Sequence, residues 1–378
     1  MRHIDEYRDP VICRKLIDRI LRRSTRRWVL MEVCGGQTHS LIRHGLDEEL
    51  EHAVELIHGP GCPVCVTSCE AIDQAIACTS VPNVIVATFG DMLRVPGSRG
   101  SLLDARSRGA QVQIVYSPMD AVSLARSHPE KEVVFLAVGF ETTAAATAIA
   151  LLQAKAHRLS NYSVLVAHVR VLPAMELLAA SPVSRIQGFL AAGHVCTVDG
   201  YTQYQSLVDR YYLPVIVAGF EPVDLLLAID RCIDLLESNS PRLENCYPRS
   251  VRPDGNRNAR GIIDKVFRMA DADWRGIGKV PNGGCQLQSE FASFDVRSRS
   301  WFKEEPIVID ERCLAGDVLI GRIKPPACPH FGGACRPEHP LGAPMVSAEG
   351  VCAAYMRYRH QQTGVFQLSP REVADHAQ

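Results

Sequence analysis

Four cysteines, Cys313, Cys328, Cys335 and Cys352, follow one another at intervals of 15, 7 and 17 residues, with Pro325-Pro326, Gly332-Gly333 and Gly342 between them. Thiolates from such a turn-rich segment can hold a cubane iron–sulfur cluster or a closed zinc site, because an irregular backbone can wrap donors around a metal. The spacing is neither a ferredoxin run nor a pair of C-x2-C zinc knuckles. From spacing alone, iron–sulfur, zinc and unliganded thiols all stay open, since both metals accept four cysteines.

Two further thiol motifs stand nearer the amino terminus. Cys62-Pro-Val-Cys65 follows Gly59-Pro-Gly61 and precedes a helix-like stretch. A C-x-x-C pair at a helix start reads as a reversible dithiol/disulfide, because the helix amino terminus favours thiolate. Half of a zinc site is the competing reading, but no second pair of matching spacing is present. Cys34 is alone in Cys34-Gly-Gly-Gln-Thr-His39, just beyond an apolar run. Its two glycines allow close backbone approach, and the setting suits a thiolate that binds a metal or attacks an electrophile, hydrogen-bonded by His39 or Gln37. His194 and Glu141, each closing an apolar run, read either as satisfied structural groups or as proton carriers or hydrogen-bond orienters lining the same crevice as Cys34. Asp91 is a further candidate of this kind. Cys13, Cys78, Cys196, Cys232, Cys246 and Cys285 sit singly and read as plain core or surface residues, and Cys69, one turn beyond Cys65, reads as a buried thiol that could instead join a cluster.

Strands must position these groups. Eight short apolar, β-branched runs, 28–33, 54–57, 84–89, 112–116, 133–138, 163–167, 186–191 and 215–218, alternate with helix-like stretches. This is the pattern of parallel strands buried on both faces and predicts doubly wound sheets. The echo between Val138-Gly-Phe-Glu141 and Ala218-Gly-Phe-Glu221 supports two similar units. Ligands of open α/β sheets bind beyond the carboxyl ends of strands, so the Gly-rich clusters there are expected to converge on one crevice. Asp9-Pro10 opens a packing helix with Leu16, Ile17, Ile20 and Leu21 at helical spacing. Residues 261–378 show no regular periodicity and need something besides an apolar core, which a metal centre would supply.

Composition narrows the function. The chain has 378 residues, with 41 Lys+Arg against 42 Asp+Glu, a formal charge of −1. That balance removes any general attraction to nucleic acid or an anionic membrane. The run Arg22, Arg23, Arg26, Arg27 reads as the solvated end of a helix. No apolar h-region or membrane-length apolar stretch appears, so a cytoplasmic chain is expected. A disulfide framework is not expected among cysteines of a chain this size in a reducing compartment. No glycine pattern here makes a phosphate-binding loop.

Taken together, the motifs closely resemble those of the HypD family of [NiFe]-hydrogenase maturation proteins. The carriers are Glu32-Val-Cys-Gly-Gly-Gln-Thr-His39, Gly59-Pro-Gly-Cys-Pro-Val-Cys65, Thr88-Phe-Gly-Asp-Met-Leu-Arg-Val-Pro-Gly97, Gly139-Phe-Glu-Thr-Thr143, Gly193-His-Val195, Gly219-Phe-Glu-Pro222 and the tail from Cys313 to Tyr355. The resemblance implies a scaffold that, with its small partner HypC, assembles an iron centre bearing two cyanides and one carbon monoxide, HypE supplying the cyanide. It implies that Cys34 holds the nascent iron jointly with a HypC cysteine, that Cys62 and Cys65 relay electrons, and that Cys313, Cys328, Cys335 and Cys352 ligate a [4Fe–4S] cluster. It also brings His39, His194, Asp91, Glu141 and Glu349 forward as site groups. The implied architecture is two similar doubly wound domains, 28–148 and 149–238, plus an irregular cluster-bearing domain of 1–27 and 239–378 joined by the N-terminal helix. Gln37 and Ala315 stand where some members carry His and Cys.

Two other readings compete. A stand-alone iron–sulfur/dithiol reductase would use the dithiol on a diffusing disulfide substrate, but has no need of the Cys34 motif. A zinc-bound interaction protein would carry no iron.

Overall fold

The computed structural model describes residues 5–303 and 312–359. Each of the eight apolar runs becomes a strand: β1 Trp28–Glu32, β2 Val54–His58, β3 Val84–Thr88, β4 Val112–Ile114, β5 Glu132–Gly139, β6 Tyr162–His168, β7 Gly188–Ala192 and β8 Val215–Ala218. Short β9, Leu243–Asn245, follows, then β10, Phe267–Trp274, and β11, Gly278–Leu287. The helices that bear on the site are α1 (Pro10–Arg23), α2 (Gly35–Arg43), α3 (Pro63–Val66), α4 (Glu141–Ala156), α5 (Val171–Ala180), α6 (Gly193–Asp199), α7 (Pro222–Glu237) and α8 (Val351–Arg359).

Two parallel sheets result, in the orders β2-β1-β7-β8-β9 and β4-β3-β5-β6. Their strands are buried on both faces: Val84 to Thr88 and Gly188 to Ala192 are buried throughout. That burial is why the runs are continuous rather than alternating. Each order reverses once, at β1/β7 in the first sheet and at β3/β5 in the second. A crevice opens beyond the strand ends at such a reversal. Cys34 follows β1 and His194 follows β7, so both stand at the first reversal, whereas Asp91 follows β3 and Glu141 follows β5 at the second.

This topology redraws the expected units. A boundary between 148 and 149 falls within α4, and the first sheet is discontinuous, drawing β1 and β2 from one stretch and β7, β8 and β9 from another. The echo between residues 138–141 and 218–221 therefore relates one strand end in each sheet.

Helix α1 also lies elsewhere than expected. Its buried stripe, Cys13, Leu16, Ile17 and Ile20, joins the core that includes Leu225, Ile229 and Ile233 of α7. Arg19 and Arg23 both pair with Asp230 on that helix. An amphipathic helix goes where its apolar stripe is covered, and here the cover is the first sheet's own helix rather than the cysteine-rich segment.

Residues 257–287 are more regular than their composition indicated. A helix, Arg257–Val266, runs into the β10–β11 hairpin. Exposed Arg268 and Asp273 lower its apolar content, which is why no strand signal stood out. Trp274 is fully enclosed, and its indole N–H donates to Gly283 O at 3.0 Å. Among the described residues no helix is long and apolar enough to cross a membrane.

Candidate metal and thiol site

Cys34 is the N-cap of α2, with its backbone extended at φ −150°. Its side chain is 1% exposed. The loop carrying Cys62 presses directly on it: a Cβ on Gly61 would lie 2.0 Å from Cys34 N, so only glycine fits there. Gly35 N–H closes the contact by donating to Gly61 O at 2.8 Å. Across the reversal, His194 Nδ1 lies 3.5 Å from Cys34 Sγ. Burial pushes the Cys34 thiol well above its ordinary value; the Gln37 and Gly36 amides oppose this, while Glu32 and Glu349 reinforce it. Burial also lowers His194 to about 4, leaving its imidazole neutral at pH 7.

Cys62 caps the four-residue helix α3 and Cys65 lies within it, its N–H donating to Cys62 Sγ at 3.3 Å. A single turn has little macrodipole, and burial wins over the expected depression. The Cys65 thiol is pushed up, first by desolvation, then by Cys62, with Cys352 and Glu349 adding to it. The same repulsions locate the dithiol within electrostatic reach of the tail cysteines and of the crevice that holds Cys34.

Cys313, Cys328, Cys335 and Cys352 line one cavity, together with Phe331, Leu341 and Met345. Desolvation raises Cys352 and Cys313, and the other thiols of the set raise both further. Mutual repulsion of this kind is relieved when a cation binds. Leu341 N–H donates to Cys335 Sγ at 3.4 Å. A Cβ on Gly342 would stand 2.1 Å from Cys313 Sγ, so this glycine makes room for the sulfur. Four soft donors from separate turns, an N–H aimed at one sulfur and an apolar wall fit an iron–sulfur cluster. Among the described residues no three Cys, His, Asp or Glu side chains close on the position of a single metal ion; the thiols surround a space instead.

The remaining sequence candidates separate into three places. Glu349 lies at the mouth of the Cys34 crevice, its carboxyl raised by desolvation and then by Asp91. That places Asp91 near it too, from the second sheet. His39 turns away to the tail: its Nδ1 lies 3.2 Å from Ala348 O, and Tyr358 Oη lies 3.1 Å from its Nε2. Its Nε2 contact holds α8 against α2, and its Nδ1 contact holds the turn before α8. Gln37 is fully buried, its amide donating to Ala218 O at 3.0 Å, which ties α2 to β8.

Glu141 stands apart, in a cavity that none of these thiols lines, because β5 belongs to the other sheet. Burial and then Asp199 raise its carboxyl from near 4.5 to about 7. The folded chain therefore binds more protons than the unfolded chain between these values, and stability falls as pH rises through that window. Glu141→Gln is expected to gain up to about 3 kcal/mol over the parent at pH 8 and almost nothing below pH 4.5. Urea unfolding of both proteins across that range measures the difference.

Sequence reading passed over Glu32 and His58, though an acid at the end of a buried apolar strand was a signal. Glu32 is fully buried. Its Oε2 accepts Cys34 N–H at 2.8 Å, and its Oε1 accepts the Thr38 hydroxyl and lies 2.9 Å from His58 Nδ1. Glu32 thus joins the Cys34 backbone, the Thr38 hydroxyl and the His58 ring at one buried point. Glu32→Gln would turn an N–H2 toward one of these donors. The expected loss is about 2 kcal/mol of stability, with faster alkylation of Cys34 as its loop loosens; an unchanged urea midpoint and alkylation rate would contradict the bracing role.

A family profile described as "HypD: Hydrogenase formation hypA family" matches residues 11–359. The chain is 42% identical over 371 residues to the hydrogenase maturation factor HypD of Escherichia coli (strain K12), which covers 96% of this chain and 100% of that protein. It is 40% identical over 378 residues to the hydrogenase expression/formation protein HupD of Azotobacter chroococcum mcd 1, covering 98% of this chain and 100% of the relative. To the hydrogenase maturation factor HypD of Rhodobacter capsulatus it is 40% identical over 370 residues, 95% of this chain and 98% of the relative.

Proposed function

The chain belongs to the HypD family and is a hydrogenase maturation factor, and from that premise we propose that it is the scaffold on which, with HypC, the iron centre bearing two cyanides and one carbon monoxide is assembled. The observation that carries this reading is the succession of thiols: Cys34 against the Cys62 loop, and Cys65 within reach of Cys352. A stand-alone reductase would need no buried Cys34 at the head of that succession.

Cys34 anchors the iron cargo. As its S–Fe bond forms, the S–H bond breaks, and neutral His194, 3.5 Å from the sulfur, takes up the proton. The second thiolate comes from a HypC cysteine, and HypE delivers the cyanide. The buried position of Cys34 keeps water and oxygen from a reduced iron centre. Glu32 fixes the Cys34 backbone, and Glu349 at the crevice mouth is placed to accept a hydrogen bond from an incoming group.

Cys62 and Cys65 act as a two-electron store. Their oxidation forms one S–S bond and releases two protons and two electrons to the iron or its ligand precursor. When bound by Cys313, Cys328, Cys335 and Cys352, an iron–sulfur cluster supplies single electrons at this end of the protein.

The test is a Cys62→Ala/Cys65→Ala variant copurified anaerobically with HypC from cells supplied with labelled iron. Bound iron is expected to persist, whereas its cyanide and carbonyl infrared bands fall to background. Normal bands would remove the dithiol from the pathway.

A further inference from the structure

Glu141 opens α4 and Asp199 closes α6. Between them and the β10–β11 hairpin lies a cavity of about 400 Å³, also lined by Asp264, Arg170, Arg260 and Arg268. No cysteine of the maturation site borders it. Glu141 is only 6% exposed; its Oε1 accepts Val171 N–H at 3.0 Å, while its Oε2 is buried without a partner. One oxygen suffices for the cap on α5. A carboxylate oxygen removed from water and left unpaired is costly, and it persists where something else supplies the donor.

The charges around this cavity are also left apart. Arg170 contacts Met269 Sδ and Asn282 O, Arg260 contacts Asp254 O, and Arg268 contacts Gln286 Oε1. Among the described residues, none of these guanidinium groups pairs with a carboxylate, and neither Glu141 nor Asp199 takes part in an ion pair. Three acids, Glu141, Asp199 and Asp264, and three bases thus face a common space without closing an ion pair between them.

We propose that this cavity binds a small dipolar molecule of the free α-amino acid class, its ammonium group at Glu141 and Asp199 and its carboxylate at the arginines. A simple anion would meet three acids, and a simple cation would meet three guanidinium groups. A metal ion has no suitable donor set, since no three Cys, His, Asp or Glu side chains of the described residues converge on one position. Ala144, Ile263 and Met269 in the lining offer an apolar surface to a short side chain. The raised carboxyl of Glu141 accords with an acid awaiting a cationic partner.

Calorimetric titration of the purified full chain with L-norvaline, n-butylamine and butyrate tests this directly. L-Norvaline is expected to bind saturably, with each single-charge analogue at least about tenfold weaker. Glu141→Gln and the surface change Arg268→Met should each weaken L-norvaline by about tenfold or more, the scale of one lost charge-assisted hydrogen bond. Unchanged thermal unfolding of Arg268→Met keeps that comparison clear of misfolding. The proposal is overturned if L-norvaline does not saturate, if butyrate or butylamine alone binds as tightly, or if both variants bind like the parent.

Discussion

A Cys34→Ala chain is expected to fold and to support no hydrogenase maturation. The substitution removes one buried heavy atom, so stability should fall by only about 1 kcal/mol. The α2 cap does not depend on that side chain, because Cys34 makes no side-chain cap hydrogen bond. The Glu32 brace grips the Cys34 backbone N–H and survives as well. On the proposed reading function depends on the sulfur itself, the thiol beside His194 at the sheet reversal, to which the iron anchor is assigned. In a strain lacking the native chain, hydrogen uptake should drop to the background of the deletion while the variant accumulates normally. Uptake above one tenth of the parental level would move the anchor elsewhere.

The second large effect is expected at the tail cysteines. Cys335→Ser and Cys352→Ser should each lose the visible iron–thiolate absorption and destabilise residues 312–359 against proteolysis. This segment has a small apolar core, chiefly Val318, Val351, Ala354 and Tyr355 against Ile42. On the proposed reading a segment with so little buried surface relies on a bound cluster, and loss of a structural metal is among the few single changes that exceed about 4 kcal/mol. Damage should also reach α2 and the end of β2, because Tyr358 holds His39 and the Tyr355 ring lies edge-on to His58 at 5.8 Å. Cys285→Ser, on the hairpin, is the control and should keep both iron and protease resistance. Retention of iron by Cys335→Ser together with Cys352→Ser would show that these thiols do not ligate it.

The strands were legible because burial on both faces writes itself as continuous apolar runs, and all eight runs are strands. Their partners were not, since a run records that a strand is buried and not what lies beside it. Consecutive strands are neighbours in most folds, which favours contiguous units. Here Leu30 of β1 pairs with Gly188 of β7, far along the chain. The same gap explains the site. Cys34 and His194 were expected together and are together, because β1 and β7 are neighbours. Glu141 was expected with them, yet its similar Gly-Phe-Glu motif ends a strand of the other sheet. His39 shares a motif with Cys34, but a helix turns successive side chains to different faces, and this one meets Tyr358.

The scaffold role rests on Cys34 holding iron in company with a partner, and infrared spectroscopy of the anaerobically copurified chain and HypC tests it most directly. The parent complex should show cyanide and carbonyl bands together with bound iron, and Cys34→Ala should lose the bands while keeping the iron of the tail cysteines. Undiminished cyanide and carbonyl bands in the Cys34→Ala complex would contradict the account.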